Sequence, residues 1–442
     1  SGPAAEFRGW EPHAEMTNGQ LMVDLGVWVQ GVPGSYSICW KGGPGAAEDH
    51  AVLVGPVEVA GPRAKRLRCT LGHLCQLDLE GIDLREDDWI FVLASGTCGS
   101  GVLANWRGVE NPVQADIAGS FSFGIPTGGI PASSYIVCWG RSQSLALART
   151  VVSTNSQLTG PTEARFTCTM GIFCMLNVPG NALWGEMKIV NNSCTEPSVA
   201  FGGWPEEFIQ LRSGNASLGV ATAGVPGSYV LCWASTEINV VHDLMYVGAG
   251  RLDVHGPFES TLECTMGLPC SAEVAMVGPA DRSSVAPFVE SCGGDAFASW
   301  TGATIPSGSI TSGSQSFDLG FPTAGYPAVT YRLCWSPTVS DNPGAFVVEV
   351  VAAVTLVGPD AEAVVSCVLG RLCVVEMRGY QVFTGTVAVS HNCTGVTEQF
   401  QGWRMDTPSE DNSSFVFGVA EGGVVGDYVL CWRLSAALDY LT

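Results

Sequence analysis

Apolar and polar positions alternate around a recurring pair of cysteines. In Arg165-Phe166-Thr167-Cys168 and Val364-Val365-Ser366-Cys367, the cysteine shares a face with an apolar residue two positions earlier. After the second cysteine of each pair, apolar residues fall at the second and fourth positions: Leu77/Leu79, Leu176/Val178, Ala272/Val274 and Val375/Met377. Asp78, Asn177, Glu273 and Glu376 stand between them. A period of two predicts half-buried β-strands. Gly72, Gly171, Gly267 and Gly370 sit mid-loop between the paired cysteines, where a tight turn calls for positive φ.

A second alternation ends in Cys-Trp. Tyr36, Tyr135, Tyr229, Tyr331 and Tyr428 each lie four residues before Trp40, Trp139, Trp233, Trp335 and Trp432. On a strand, the tyrosine, the aliphatic residue two later and the tryptophan share a face. These ten aromatics are the predicted core anchors. The cysteine before each tryptophan is expected on the opposite face, outward or toward a loop.

The two strand signals belong to a repeat. Its cysteine sets are Cys69/Cys75/Cys98/Cys138, Cys168/Cys174/Cys194/Cys232, Cys264/Cys270/Cys292/Cys334 and Cys367/Cys373/Cys393/Cys431. Spacing from second to third cysteine is 23, 20, 22 and 20 residues; from third to fourth it is 40, 38, 42 and 38. Trp106, Trp204, Trp300 and Trp403 follow the third cysteine by 8, 10, 8 and 10 residues. All three spacings alternate in the same order, defining types A and B. Trp10 and Cys39 are 29 residues apart, against 28 in type B and 32 or 34 in type A, so the chain opens inside a type B repeat whose third cysteine is expected just before Ser1. The expected units are 1–56 (B, partial), 57–152 (A), 153–250 (B), 251–351 (A) and 352–442 (B, its last strand missing). A periodic array points to length, adhesion or display.

Between Cys-Trp and the next repeat there is no flexible linker. Ala345 to Pro359 is a β-rich run ending in Gly-Pro, and Gly61, Gly160 and Gly256 occupy the same place before the other cysteine pairs. One segment is expected to close a repeat and open the next, making a stiff junction.

Seventeen cysteines at repeating spacings imply disulfides and an oxidising compartment. The spacing is wrong for zinc knuckles, and no histidine recurs with it. Four cysteines allow three pairings. The shared core face of the first two and the loop position of the third favour Cys69–Cys75 with Cys98–Cys138, Cys168–Cys174 with Cys194–Cys232, Cys264–Cys270 with Cys292–Cys334, and Cys367–Cys373 with Cys393–Cys431. Cys39 is left without a partner in this chain. The loop-entropy model assigns about 2 kcal/mol to the short ring and about 4 kcal/mol to the long one.

Type B repeats carry sequons at matching places, Asn191, Asn215, Asn392 and Asn412, so N-linked glycans are expected there. These imply a secreted or cell-surface location. Net charge is −22 with three lysines, which excludes a nucleic-acid backbone binder. The acidity supports solubility, with loose calcium binding as its functional reading; no EF-hand loop is present. No apolar run is long enough to span a bilayer.

No catalytic constellation emerges. His13, His50, His73, His242, His255 and His391 occupy no common repeat position, and the hydrolase, zincin, P-loop and dinucleotide motifs are absent. Asp87-Asp88 and Glu206-Glu207 are adjacent carboxylates that point opposite ways on a strand and read as solvated surface. Trp28, Trp89 and Trp184 do not recur and are candidates for exposed or junction contacts.

Seven or so short strands per hundred residues, with a Cys-bearing aromatic strand near the end, resemble an immunoglobulin-like β-sandwich. The array is similar to the cysteine-rich immunoglobulin-like arrays of protist surface and extracellular fibre proteins. It departs from immunoglobulin domains in placing tyrosine three residues before the cysteine rather than two, and in its C-x5-C loop. The reading is an all-β tandem array with two disulfides per unit and no cofactor. It fits a non-enzymatic, secreted structural glycoprotein assembling with its own kind, with an adhesin or receptor stalk as the alternative. An extracellular glycan or protein ligand fits either.

Overall fold

The structure, a computed structural model, describes residues 7–17, 20–40, 52–236, 245–278, 282–295, 297–298, 304–305, 313–327, 329–360, 364–393, 399–404, 407–408 and 414–434. Regular structure among them is all strand, apart from short 3-10 turns such as Leu145–Leu147 and Pro343–Ala345. No helix is long and apolar enough to cross a membrane among the described residues.

The type B unit around Cys168–Cys232 illustrates the fold. Its strands are β1 (Thr150–Pro161), β2 (Ala164–Thr169), β3 (Phe173–Asn177), β4 (Gly180–Asn181), β5 (Trp184–Val190), β6 (Ile209–Arg212), β7 (Asn215–Val220), β8 (Gly227–Ala234) and β9 (Val247–Pro257). One layer runs β2-β9-β8-β5: β2 is parallel to β9, and the remaining pairs are antiparallel. The other layer is built on β3 and β7, with Leu176 opposite Ala216. β6 bonds both β5 and β7, so it passes the chain between layers. This is an immunoglobulin-like sandwich. The chain is a tandem array of such units, each with two disulfides where its cysteines are complete.

The period-two pattern decides what is buried. Tyr229, Leu231 and Trp233 point inward from β8 to meet Met187, Ile189, Leu176 and Leu252. From the opposite layer, the strands equivalent to β7 in other units contribute buried Phe121, Phe123, Phe317, Phe415 and Phe417 where β7 has Ala216 and Leu218. Each tyrosine is also tied down through its hydroxyl. Tyr135, Tyr229 and Tyr428 donate to the carbonyls of Ile130, Val225 and Val424, and Tyr331 accepts from the Tyr326 N–H at 2.7 Å. A buried phenol needs such a partner, and the bond fixes the bend entering the Cys-Trp strand.

The core expectation departs from the structure at the two ends of the array. Tyr135, Trp139, Tyr229, Trp233, Tyr331, Trp335 and Trp432 are buried, whereas Tyr36 and Tyr428 are half-buried and Trp40 is 53 % exposed. Among the described residues of the first unit, only the hairpins Arg8–Thr17/Gln20–Gln30 and Gly34–Trp40/Val52–Val59 form, so no opposing layer covers Trp40.

The fourth cysteine does not reach solvent. Cys138, Cys232, Cys334 and Cys431 are fully buried, although they leave the main core face. The loop bearing the third cysteine folds over the outer face and builds a second small core there. In the first type A unit it comprises Phe91, Leu93, Cys138 and Ala148, with Trp89 packed against it. Ala286, Phe288, Cys334 and Phe346 repeat it in the second. An otherwise solvated sheet face becomes apolar on both sides.

Candidate functional site: the repeat junctions

The element that recurs without interruption is the strand between units. β1 lies antiparallel to Ala132–Gly140 and parallel to Arg68–Thr70 in one unit, then its last residues, Gly160 and Pro161, pair with Asn181 and Gly180 of the next. β9 passes in the same way from β8 and β2 to Cys270–Val277, and Val348–Pro359 passes to Gly379–Tyr380. A single strand therefore belongs to two sandwiches at each of these junctions, leaving no free linker between them.

Close contacts lock the crossing. Gly160, Gly256 and Gly358 have φ of +144°, +159° and +151°, and lie against Leu71, Met170 and Met266. Those three residues stand second after the first cysteine of their units. The C-x5-C loop also touches the following unit. Gly72 has φ +80°, and a Cβ there would stand only 2.6 Å from the Met245 carbonyl; at Gly171 the corresponding neighbour is Pro337, at 3.0 Å. His73 lies in the first of these contacts, with a backbone hydrogen bond to Ser235; burial holds its pKa below the ordinary histidine value. The Glu349 N–H donates to the Thr222 carbonyl at 3.4 Å across a later junction. Arg107 and Glu163 pair at 2.5 Å but are both well exposed, so that pair contributes little. Trp28 stands at the first junction, in a recess of about 310 Å³ with Trp139, Arg141 and Leu147.

The disulfides brace this arrangement from two sides. Cys168–Cys174 joins β2 to β3 and so ties the two layers at their edge, with Cα atoms 5.7 Å apart. Cys194–Cys232 pins the outer loop to β8 over 5.5 Å. The other three complete units carry the same two links, Cys69–Cys75 with Cys98–Cys138, Cys264–Cys270 with Cys292–Cys334, and Cys367–Cys373 with Cys393–Cys431. Cys39 is exposed and unpaired.

Three sequon asparagines lie in the open. Asn191 and Asn392 follow the strands that end at Val190 and Ser390, and Asn215 opens β7; all are exposed. Asn412, Trp300, His50 and His242 lie outside the described residues, as do the side chains of Trp10 and His13. Trp184 is 46 % exposed, whereas Trp106 and Trp204 are buried.

One carboxylate expected at the surface is buried. Asp88 sits in a turn, where its Oδ2 accepts the Arg85 N–H at 2.9 Å and Arg141 Nε stands 3.9 Å from its Oδ1. Burial raises its pKa. Neighbouring Asp83 is held down at about 2, chiefly by hydrogen bonds from Arg85 and then Arg141. The Arg85 bonds stay within the turn, and the Arg141 side chain reaches it from beyond the Cys-Trp strand. Among the described residues there is no cluster of three or more His, Cys, Asp or Glu able to hold a metal ion.

Sequence reasoning missed a motif, Phe-x-Gly-Trp, at Phe7–Trp10, Phe201–Trp204 and Phe400–Trp403. Phe201 packs on Trp204 at 4.6 Å and on Tyr229 at 5.4 Å; Phe400 repeats this with Trp403 and Tyr428 at 4.6 and 5.2 Å. Phe7 meets Tyr36 at 5.0 Å. The motif occurs only in type B units, and its recurrence was the available signal.

No known protein family matches the chain, and no curated protein does. Its similarities are to solved tandem immunoglobulin structures. A three-domain fragment of titin aligns at 12 % identity over 67 % of this chain and 96 % of the fragment, with a TM-score of 0.16. The N-terminal eight immunoglobulin domains of Down Syndrome Cell Adhesion Molecule align at 10 % identity, over 97 % of this chain and 67 % of that one, also at 0.16. Sidekick-1 immunoglobulin domains 1–5 align at 12 % identity over 86 % and 78 %, again at 0.16. The fold assignment rests on the strand pairing itself.

Proposed function

We propose that this chain is a stretch of a secreted, non-enzymatic structural glycoprotein, a rod or filament of alternating sandwich units. The observation that carries this reading is the strand shared between consecutive units. A chain joined in that way resists bending at each joint, as a length-building element must and a flexible string of binding modules need not. The disulfides suit an oxidising, extracellular setting. Glycans on Asn191, Asn215, Asn392 and Asn412 would decorate type B units alone and leave type A faces for lateral contact with adjoining repeats.

Electron microscopy of native, unreduced material tests it. With units roughly 34 Å across, an A–B pair advances on the order of 70 Å, so continuous fibres should show that period. Glycopeptide mass spectrometry should place sugars on type B units only. Isolated rods ending at a membrane or a larger head would instead assign the array to an adhesin stalk.

A further inference from the structure

Trp184, which does not recur in the other units, heads a row of side chains that crosses four strands. It stands opposite Arg212 on β6, and Arg212 stands opposite Asn215 on β7. Asn177 on β3 continues the row beyond Asn215. Residues directly opposite in an antiparallel ladder share a face. This face looks outward. Trp184 is 46 % exposed, and Arg212, Asn215 and Asn177 are exposed, whereas their strand neighbours Gly185, Leu211, Ala216 and Leu176 are buried.

Asn215 heads the sequon Asn215-Ala216-Ser217. Ser213 and Gly214 form a two-residue hairpin turn before it, with φ of +50° and +82°. Arg212 and Asn215 close that turn as a pair, which fixes Asn215 against the sheet. Its Nδ2 donates one hydrogen to the Ser213 carbonyl at 3.5 Å and keeps the other for a sugar link. Neighbouring strands lie about 4.8 Å apart, so Trp184 stands about 10 Å from Asn215 along the row. The innermost sugars of an N-linked glycan cover that span. Asn191, by contrast, lies beyond the last pair of its ladder, Val190 with Val230.

We propose that the glycan on Asn215 lies down along this row, with its innermost sugars held on Trp184 and Arg212. The exposed indole face is electron-rich and meets the C–H face of a pyranose ring. The Arg212 guanidinium has N–H donors and no acceptor, which suits the hydroxyl and acetamido oxygens of N-acetylglucosamine. On the far side of Asn215, Asn177 offers an amide but no apolar ring, so the glycan turns toward Trp184. Held there, it covers the hairpin end of β6 and β7 and shields the indole from water. Ligand and platform belong to one unit, so no second molecule is needed. The inference rests on the reading that type B sequons carry glycans, and it deepens that reading by giving one glycan a fixed direction and a binding site.

The test uses the 442-residue chain, secreted from a eukaryotic host that supplies isotope-labelled N-acetylglucosamine. Nuclear magnetic resonance should show signals of the Asn215 glycan, identified by their loss in Asn215→Gln, shifted upfield by the indole ring current. Trp184→Ala should remove the shift, and Trp184→Phe should keep part of it. Signals of the Asn191 glycan should stay in place in both variants, which reports an intact fold. Enzymatic glycan release from the native chain, followed by glycopeptide mass spectrometry, gives a second readout. Release at Asn215 should be severalfold faster in Trp184→Ala, less so in Arg212→Ala, and unchanged at Asn191. A glycan present on Asn215 with unshifted signals and an unchanged release rate would overturn the docking and leave the decoration of type B units standing. An Asn215 without sugar would overturn both.

Discussion

At Gly160 an added methyl group would press on the Leu71 side chain. The backbone is at φ +144°, and a Cβ would stand 2.7 Å from Leu71. Gly160→Ala should therefore cost about 1–3 kcal/mol through overpacking and strain, seen as a lower denaturation midpoint. Gly55→Ala, with no atom within 4 Å, should leave the midpoint nearly unchanged. His73 carries a second prediction. Its pKa is lowered by burial from an ordinary 6.5, so the native state disfavours its protonation. The stability this provides is complete above pH 6.5 and is lost as pH falls through the lowered folded value. Melting curves taken from pH 7.5 downward should show the loss. His73→Leu, which installs the residue type that Leu268 places at the matching position, should flatten it.

The two disulfides of each unit do different work at the level of elements. Cys98–Cys138 closes a long ring and holds the loop that covers Phe91 and Leu93, whereas Cys69–Cys75 closes a six-residue separation at a layer edge. Replacing Cys98 and Cys138 together by alanine should cost about 4 kcal/mol, and replacing Cys69 and Cys75 about 2 kcal/mol. Denaturation of the full chain measures both. Limited proteolysis should cut the Cys98/Cys138 variant first in the loop around Gly96 to Ser100, which the disulfide otherwise pins. Loss of the short ring should leave that loop protected.

For the whole molecule the shared strands set the mechanics. Pairing on both sides of Gly160-Pro161, Gly256-Pro257 and Gly358-Pro359 restricts rotation between neighbours. Small-angle scattering should report an extended rod with a longest dimension on the order of 150 Å, from about four and a half units. Inserting Gly-Gly-Ser after Pro161 should introduce a bend and shorten that dimension without lowering the melting temperature much. An unchanged scattering profile would mean that side contacts such as Gly72 with Met245 hold the joint without the strand.

Sequence alone determined what depends on local period and on counting. Alternation around Cys168 and Cys-Trp specified strands, because a strand buries every second residue. Repeated spacings specified the array, because equivalent loops must span equivalent distances. Burial on the far side of the Cys-Trp strand was decided by tertiary structure: nothing local to Cys138 says that a distant loop will cover it. The same holds for Asp88, whose burial depends on Arg85, Arg141 and a turn assembled around it. At Trp40 and Trp233 similar local sequence met different fates, since exposure follows from which strands lie opposite. The sharing of one strand by two sandwiches was foreshadowed by the missing linker, but the register that places Gly160 over Leu71 exists only once both layers have folded.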